Sequence, residues 1–200
     1  MQRISRGFTI VELLIVIVVI AILASITIVS YNGIQGRAKN VQLLSAMDAY
    51  EKALRLYMIE HNGQVPLTNI DGGSTYYSVC LGDKYPATDG FNENSCVDYP
   101  YIEDTSPFDV RPAVNDAFRA YMQTLPDVHD SVMAFTYSGN SYRSRGISYV
   151  GDISNVTGAY TGTITYQVAG DKPCGRGTKT LTTDYGAPMT MCQIEVSSNS

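Results

Sequence analysis

Between Phe8 and Val29 this chain carries one charged side chain, Glu12, and from Leu13 onward the run holds no charge at all. As a helix rising 1.5 Å per residue, the segment is about 30 Å long, the thickness of a bilayer's hydrocarbon core. Arg3 and Arg6 stand in front of it, so the positive-inside rule leaves the N-terminus in the cytoplasm and sends the remainder across. An ordinary secretory signal peptide or signal anchor fits poorly. No A-x-A site followed by a polar start is evident, and a carboxylate sits inside the apolar run. Such a charge costs roughly 2.5–3.5 kcal/mol at the centre of a membrane helix and less near an interface. No Lys or Arg occupies the following helical positions, so the partner of Glu12 is expected to come from elsewhere.

The text around that carboxylate is Gly7-Phe8-Thr9-Ile10-Val11-Glu12-Leu13-Leu14. It resembles the class III signal of type IV prepilins and the related pseudopilins, behind a basic leader and ahead of an unbroken apolar run. The resemblance implies cleavage by a prepilin peptidase between Gly7 and Phe8 and N-methylation of Phe8 as the new first residue. It also implies that Glu12 neutralises the terminal ammonium of a neighbouring subunit during assembly. Cleavage would thus create the cation that the carboxylate lacks. Many members of that family carry a glycine or proline near the position of Ala21 and a proline near that of Val29; this chain has neither. Gly33 and Gly36 are its first helix-weakening residues, each costing roughly 1 kcal/mol relative to Ala, so any melting of the helix is expected near Asn32–Gly36.

The 200 residues of the whole chain suffice for one compact domain plus one extra element. A net charge of −5 argues against an overall nucleic-acid-binding surface. Four cysteines, Cys80, Cys96, Cys174 and Cys192, all follow the membrane segment, and none forms a C-x-x-C pair. A structural zinc site is therefore weakly supported, whereas an even count beyond a membrane segment favours disulfides in an oxidising compartment. Three pairings are open. The sequential one, Cys80–Cys96 with Cys174–Cys192, is favoured because each bond closes a local loop rich in Gly, Asp and Asn, worth roughly 3 kcal/mol on chain-entropy grounds.

Residues 37–61 read as an amphipathic helix. Leu43, Met47, Tyr50, Leu54 and Tyr57 form a core stripe, and Arg37, Asp48, Glu51, Lys52 and Arg55 gather on another face. A third, weaker stripe of Ala38, Val41, Ala49, Leu56 and Ile59 suits either further core or a contact between subunits. The text His61-Asn62-Gly63 through Pro66 ends the helix. Residues 67–111 read as a loop-rich region stapled by Cys80 and Cys96. A short helix follows Pro112, with Val114, Phe118, Tyr121 and Leu125 on one face and Pro126 as its stop. Strand alternation is visible at Met133–Tyr137, with a turn at 138–141 and a return from Tyr142. It recurs at Thr163–Val168 and at Thr190–Val196. The expected class is α+β, a pilin fold: a long N-terminal helix, half membrane or stalk and half amphipathic, packed on a small antiparallel sheet with a C-terminal disulfide loop. Its expected divisions are a cytoplasmic leader at 1–7, a transmembrane or filament-core helix at 8–30, and a periplasmic or extracellular globular domain at 31–200, with the variable region at 67–111 and the sheet at 131–196.

No catalytic constellation, cofactor motif or metal-ligand spacing can be assembled. His61 and His129 both lie beside turn residues, and a calcium set from Asp89, Asn92, Asn94 and Asp98 matches no EF-hand loop. Arg143, Arg145, Lys172, Arg176 and Lys179, interleaved with Tyr142, Tyr149 and Tyr185, would make a nucleic-acid patch only if they converge. Asn155-Val156-Thr157 matches a glycosylation acceptor with little weight. The chain therefore reads as a structural filament subunit and not an enzyme. Its expected partners are further copies of itself in a helical filament, the cytoplasmic membrane before assembly, a prepilin peptidase with the pilus assembly machinery, and a host-surface or DNA ligand. It would wait in the cytoplasmic membrane and end in a surface pilus supporting adhesion, twitching motility or DNA uptake. A minor pilin or a pseudopilin of a secretion or competence system is the first rival. A tethered adhesin or enzyme that never polymerises is the second.

Overall fold

The first element is a single helix, α1 (Ile10–Glu60), unbroken through the Asn32–Gly36 stretch. The structure, a computed structural model, describes residues 9–68, 78–88, 90–98, 109–128, 132–137, 140–153, 158–183 and 189–198. The chain divides into two units, Met1–Ala38 and Lys39–Ser200. In the first unit Ile10–Ile28 of α1 is apolar but for Glu12 and a few small polar side chains, and it is exposed on every side, from Ile10, 85% exposed, to Ile28, 62% exposed.

In the second unit α1 buries one stripe. Leu43, Met47, Tyr50 and Leu54 recur at steps of four and three and are all but inaccessible, with Ala46, Ala53 and Met58 beside them. Tyr57 is half-buried, while Val41, Leu56 and Ile59 on the third stripe are exposed. That stripe is therefore not further core. Glu51, expected on the charged face, is instead 4% exposed. The helix ends where Asn62 and Gly63 both turn left-handed, at φ 54° and 81°. The Gly63 N–H then donates to the Met58 carbonyl at 2.7 Å, a Schellman-type closure.

Packed against this stripe is a five-stranded antiparallel sheet made of β1 (Val79–Leu81), β5 (Ile147–Ile153), β6 (Tyr160–Ala169), β7 (Thr178–Thr183) and β8 (Met189–Ser197). Its order is β1-β5-β6-β8-β7. The register aligns Tyr149, Ile164 and Ile194 in one row and Ile147, Tyr166 and Cys192 in the next, all on the buried face. The second helix, α2 (Pro112–Arg119), adds Val114 and Phe118, and the Phe118 ring meets Tyr50 and Tyr149 edge-on at 5.6 and 5.2 Å. Edge-to-face pairs of this kind contribute about 0.5–1.5 kcal/mol beyond their burial.

The sheet is not one but two, and it is not confined to 131–196. A three-stranded antiparallel sheet, β2-β4-β3, is built from β2 (Val97–Asp98), β3 (Val132–Tyr137) and β4 (Asn140–Arg145). Strands β1 and β2 fall inside the region read as loop. The chain passes from β4 into β5 at Gly146, which sits at φ 71° and where a Cβ would lie 2.5 Å from the Tyr85 hydroxyl. Only glycine supplies both the backbone conformation and the space for that corner. The fold is α+β and pilin-like: an N-terminal apolar helix continuing into one that packs on antiparallel sheet.

Candidate functional site

The N-terminus of α1 is built from Thr9 and Glu12. Thr9 is the cap: its N–H donates to Glu12 Oε2 at 2.9 Å and its hydroxyl donates to the same oxygen at 2.8 Å. In return the Glu12 N–H donates to Thr9 Oγ1 at 3.2 Å. This is a reciprocal capping box, which satisfies two helix-end donors that would otherwise lack a partner within the helix. Thr9 thus hydrogen-bonds the Glu12 carboxylate within the chain but brings it no opposite charge. The pattern Thr9-x-x-Glu12 ahead of an apolar run was the signal that could have revealed it. These bonds are neutral donors to a charged oxygen, so they solvate the carboxylate without neutralising it. Gly7 and Phe8 lie outside the described residues.

Glu12 lies in the first turn of Ile10–Ile28, a 19-residue span with mean hydropathy 3.0, the segment of the described residues long and apolar enough to cross a membrane. Its hydroxyls are turned back on the helix: Ser25 donates to the Ala21 carbonyl at 2.8 Å and Thr27 to Ala24 at 2.9 Å. Both side chains thus enter an apolar medium with their donors satisfied.

Two disulfides stand in the second unit, Cys80–Cys96 and Cys174–Cys192, with Cα separations of 5.6 and 5.7 Å. Cys80 and Cys96 pack with Tyr85 in a small cluster of their own, whereas Cys192 belongs to the main core. Sequence reasoning missed Asn115. Its amide donates to the Cys80 and Gly82 carbonyls at 3.3 and 3.0 Å and accepts from the Gly82 N–H at 3.3 Å, holding α2 to the end of β1.

The five cations and their tyrosines do not form one open basic stripe. Arg145 is buried, donating to the Ser95 carbonyl at 3.0 and 2.8 Å with its guanidinium 4.3 Å from the Phe91 ring. Arg143 pairs with Asp98, Lys179 with Asp171, and Arg176 with Asp48 and Glu51. Tyr149 is core, the Tyr142 side chain is outside the described atoms, and Tyr185 lies outside the described residues. Of the oxygen-rich set, Asp89 is likewise outside them, and among the described residues no cluster of His, Cys, Asp and Glu is arranged to hold a metal. His61 stacks on Tyr57 at 3.8 Å and its Nδ1 donates to the Tyr57 carbonyl at 2.9 Å. Nearby Tyr121 donates to Glu60 at 2.6 Å, and that bond to a carboxylate pushes its hydroxyl up to about 12. His129 and Asn155-Val156-Thr157 lie outside the described residues.

An exposed apolar helix with a carboxylate in its first turn, leading into a disulfide-stapled helix-on-sheet unit, defines the class of pilin-like proteins. Comparison with known proteins agrees. Residues 2–28 match the family described as the prokaryotic N-terminal methylation motif. The chain is 41% identical over 70 residues to prepilin peptidase-dependent protein D of Escherichia coli, covering 35% of this chain and 46% of that protein. It is 37% identical over 68 residues to type II secretion system core protein G of Klebsiella pneumoniae, covering 34% and 47%. It is 30% identical over 73 residues to a fimbrial protein of Neisseria meningitidis, covering 36% and 42%. The chain thus spans about half the length of the curated relatives it matches. No solved structure matches it. Over its N-terminal third to two fifths the chain is thus similar to pilin-like and pseudopilin proteins.

Proposed function

We propose that this chain is the structural subunit of a type IV pilus. It is cut between Gly7 and Phe8, N-methylated on Phe8, and polymerised through its N-terminal helix. The observation that carries the reading is the exposed apolar surface of Ile10–Ile28, closed at its first turn by the one carboxylate, Glu12. In a bilayer that surface is solvated by lipid. Outside the membrane it is stable only when like surfaces cover it, and hydrophobic burial in a filament core supplies the favourable energy. In this reading residues 1–7 are the cytoplasmic leader, 8–30 the membrane and then filament-core helix, and 31–200 the domain beyond the membrane. Arg3 and Arg6 orient the precursor with its N-terminus inside, and the mature chain ends in a filament at the cell surface. The Phe8 ammonium of one subunit meets Glu12 of a neighbour. The Thr9 bonds keep that carboxylate hydrogen-bonded until the cation arrives, and the pair sets register, as buried polar pairs can.

N-terminal mass analysis of protein from cells with an active prepilin peptidase tests the reading. A mature start at methylated Phe8 supports it; a chain still beginning at Met1, or beginning beyond Glu12, overturns it and favours a tethered protein that does not polymerise. In cells making the processed chain, Glu12→Gln is expected to cut filament yield by about tenfold or more, the effect of leaving one buried charge unpaired. A second reading, a pseudopilin or minor pilin, is favoured by the similarity to type II secretion core protein G. Abundance of the chain in sheared surface filaments separates the two.

A further inference from the structure

Glu51 is a carboxylate inside the core side of α1, its side chain 5% exposed. Its Oε1 receives Arg55 Nε and Nη2, both at 2.9 Å, from one turn along the helix. Its Oε2 makes no well-directed hydrogen bond among the described residues and lies 2.8 Å from Arg176 Nη2. The charge on that oxygen is therefore balanced by a cation delivered from far along the chain. The same guanidinium reaches Asp48 Oδ1 at 3.2 Å, one turn earlier on α1.

Arg176 is held in place from several directions. It sits two residues after Cys174, whose disulfide to Cys192 fastens this turn to β8. The Tyr166 hydroxyl donates to the Arg176 carbonyl at 2.6 Å and accepts from its N–H at 3.2 Å. On either side are glycines packed close to their neighbours. A Cβ on Gly175 would lie 2.9 Å from Leu44 of α1, and one on Gly177, at φ 75°, would collide with the Gln193 carbonyl of β8. The turn 174–177 is thus seated between helix and sheet, and its one long side chain spans the gap to the buried acid.

We propose that Cys174–Cys192 is a redox latch: the bond fixes the turn that carries Arg176, and Arg176 keeps Glu51 buried, so that oxidation locks α1 onto the sheet. Opening the latch is ordinary thiol–disulfide exchange. One thiolate of an external dithiol attacks a cysteine sulfur, forming a mixed disulfide and releasing the other cysteine as a thiolate. The second thiol of the reagent then closes a ring and frees the first cysteine. The reagent is oxidised by two electrons and both cysteines end reduced. In the reverse direction a disulfide of an oxidoreductase or of a small thiol accepts the two electrons. With the turn released, Glu51 keeps Arg55 but loses the cation at Oε2, and a buried carboxylate short of a partner strains towards water. The latch concerns the helix and sheet within residues 39–200 and holds whether or not the chain polymerises.

Hydrogen exchange on the full chain in detergent micelles tests this, comparing the oxidised protein with Cys174→Ser/Cys192→Ser, with Arg176→Gln and with Glu51→Gln. Loss of any disulfide speeds exchange through chain entropy alone, so the decisive reading is the coupling to Glu51. Removing the cysteines is expected to speed exchange over α1 residues 47–58 by about tenfold more when Glu51 is present than in the Glu51→Gln background. Arg176→Gln, with the disulfide intact, is expected to loosen the same amides while leaving β6 and β8 slow. An equal factor in both backgrounds, or slow α1 exchange in Arg176→Gln, overturns the latch. Should the cysteine-free chain fail to fold, the full chain treated with a reducing dithiol, with and without Glu51→Gln, decides: the same tenfold coupling is expected, and an equal factor in both overturns the latch.

Discussion

At the scale of single residues, polar atoms in this protein are placed where their partners can be counted. Glu12 illustrates the gain and the limit of reading them from sequence. Its solitary charge in an apolar run was visible at once, while the Thr9 bonds that receive it needed the geometry of the first turn. Glu51 is the opposite case. Its place among Asp48, Lys52 and Arg55 suggested a solvated face, and only the arrival of Arg176 makes burial tolerable. Tyr50 is a third kind of polar residue. It is fully buried and its hydroxyl has no hydrogen-bond partner among the described residues. An unpaired buried hydroxyl costs about 1–3 kcal/mol, so removing it is expected to cost nothing. Tyr50→Phe should leave the denaturant midpoint unchanged or raise stability by about 1 kcal/mol. A clear drop would mean that the hydroxyl has a partner.

At the scale of elements, periodicity explains which faces are buried, and close approaches explain how the elements meet. The stripe Leu43, Met47, Tyr50 and Leu54 was legible because a helix returns to the same face every three or four residues. The alternation of Ile164, Tyr166 and Val168, and of Cys192, Ile194 and Val196, was legible because strand faces alternate every residue. Strand β7, Thr178–Thr183, was not foreseen, because its mixture of threonine and lysine lacks an apolar alternation and its pairing partner β8 decides it. The segment after α1 has the composition of a loop, yet it is tied to β5. Tyr149 donates to the Pro66 carbonyl at 2.8 Å, and Thr68 exchanges bonds with Gly151. A Cβ on Gly151 would overlap the Pro66 carbonyl oxygen. Gly151→Ala is therefore expected to lower stability by about 2 kcal/mol or more, read as a shift of the denaturant midpoint at unchanged slope. Gly158→Ala, with open space around it but φ 69°, serves as the comparison and should cost about 1 kcal/mol.

At the scale of the whole molecule, the core of the second unit is rich in tyrosine, and that sets its response to alkali. Burial pushes the Tyr50, Tyr85 and Tyr149 hydroxyls up from the ordinary tyrosine value. In the unfolded chain they ionise near pH 10. Below that pH both states are neutral at these groups and their contribution to stability is complete. Above it the unfolded chain gives up protons that the folded chain retains, so stability falls by up to about 1.4 kcal/mol per pH unit for each tyrosine. Denaturant midpoints measured from about pH 8 to 12 should be flat at first and then drop steeply, with the share of tyrosinate absorbance that belongs to these three buried rings appearing only as the fold is lost. A midpoint that stays flat through about pH 11 would contradict this.

The sequence by itself determined the class of this protein. An apolar helix with one carboxylate, the Gly7-Phe8 text before it, a 3.6-residue stripe after it and period-two strands behind are all local patterns, and local patterns are written in neighbouring residues. The tertiary structure decided what depends on residues far apart in the chain: two sheets joined at Gly146, the burial of Arg145, and the ion pair that brings Arg176 onto Glu51. Those features follow from packing and from the need of every buried charge to find a partner, and no window along the sequence contains both halves of such a pair.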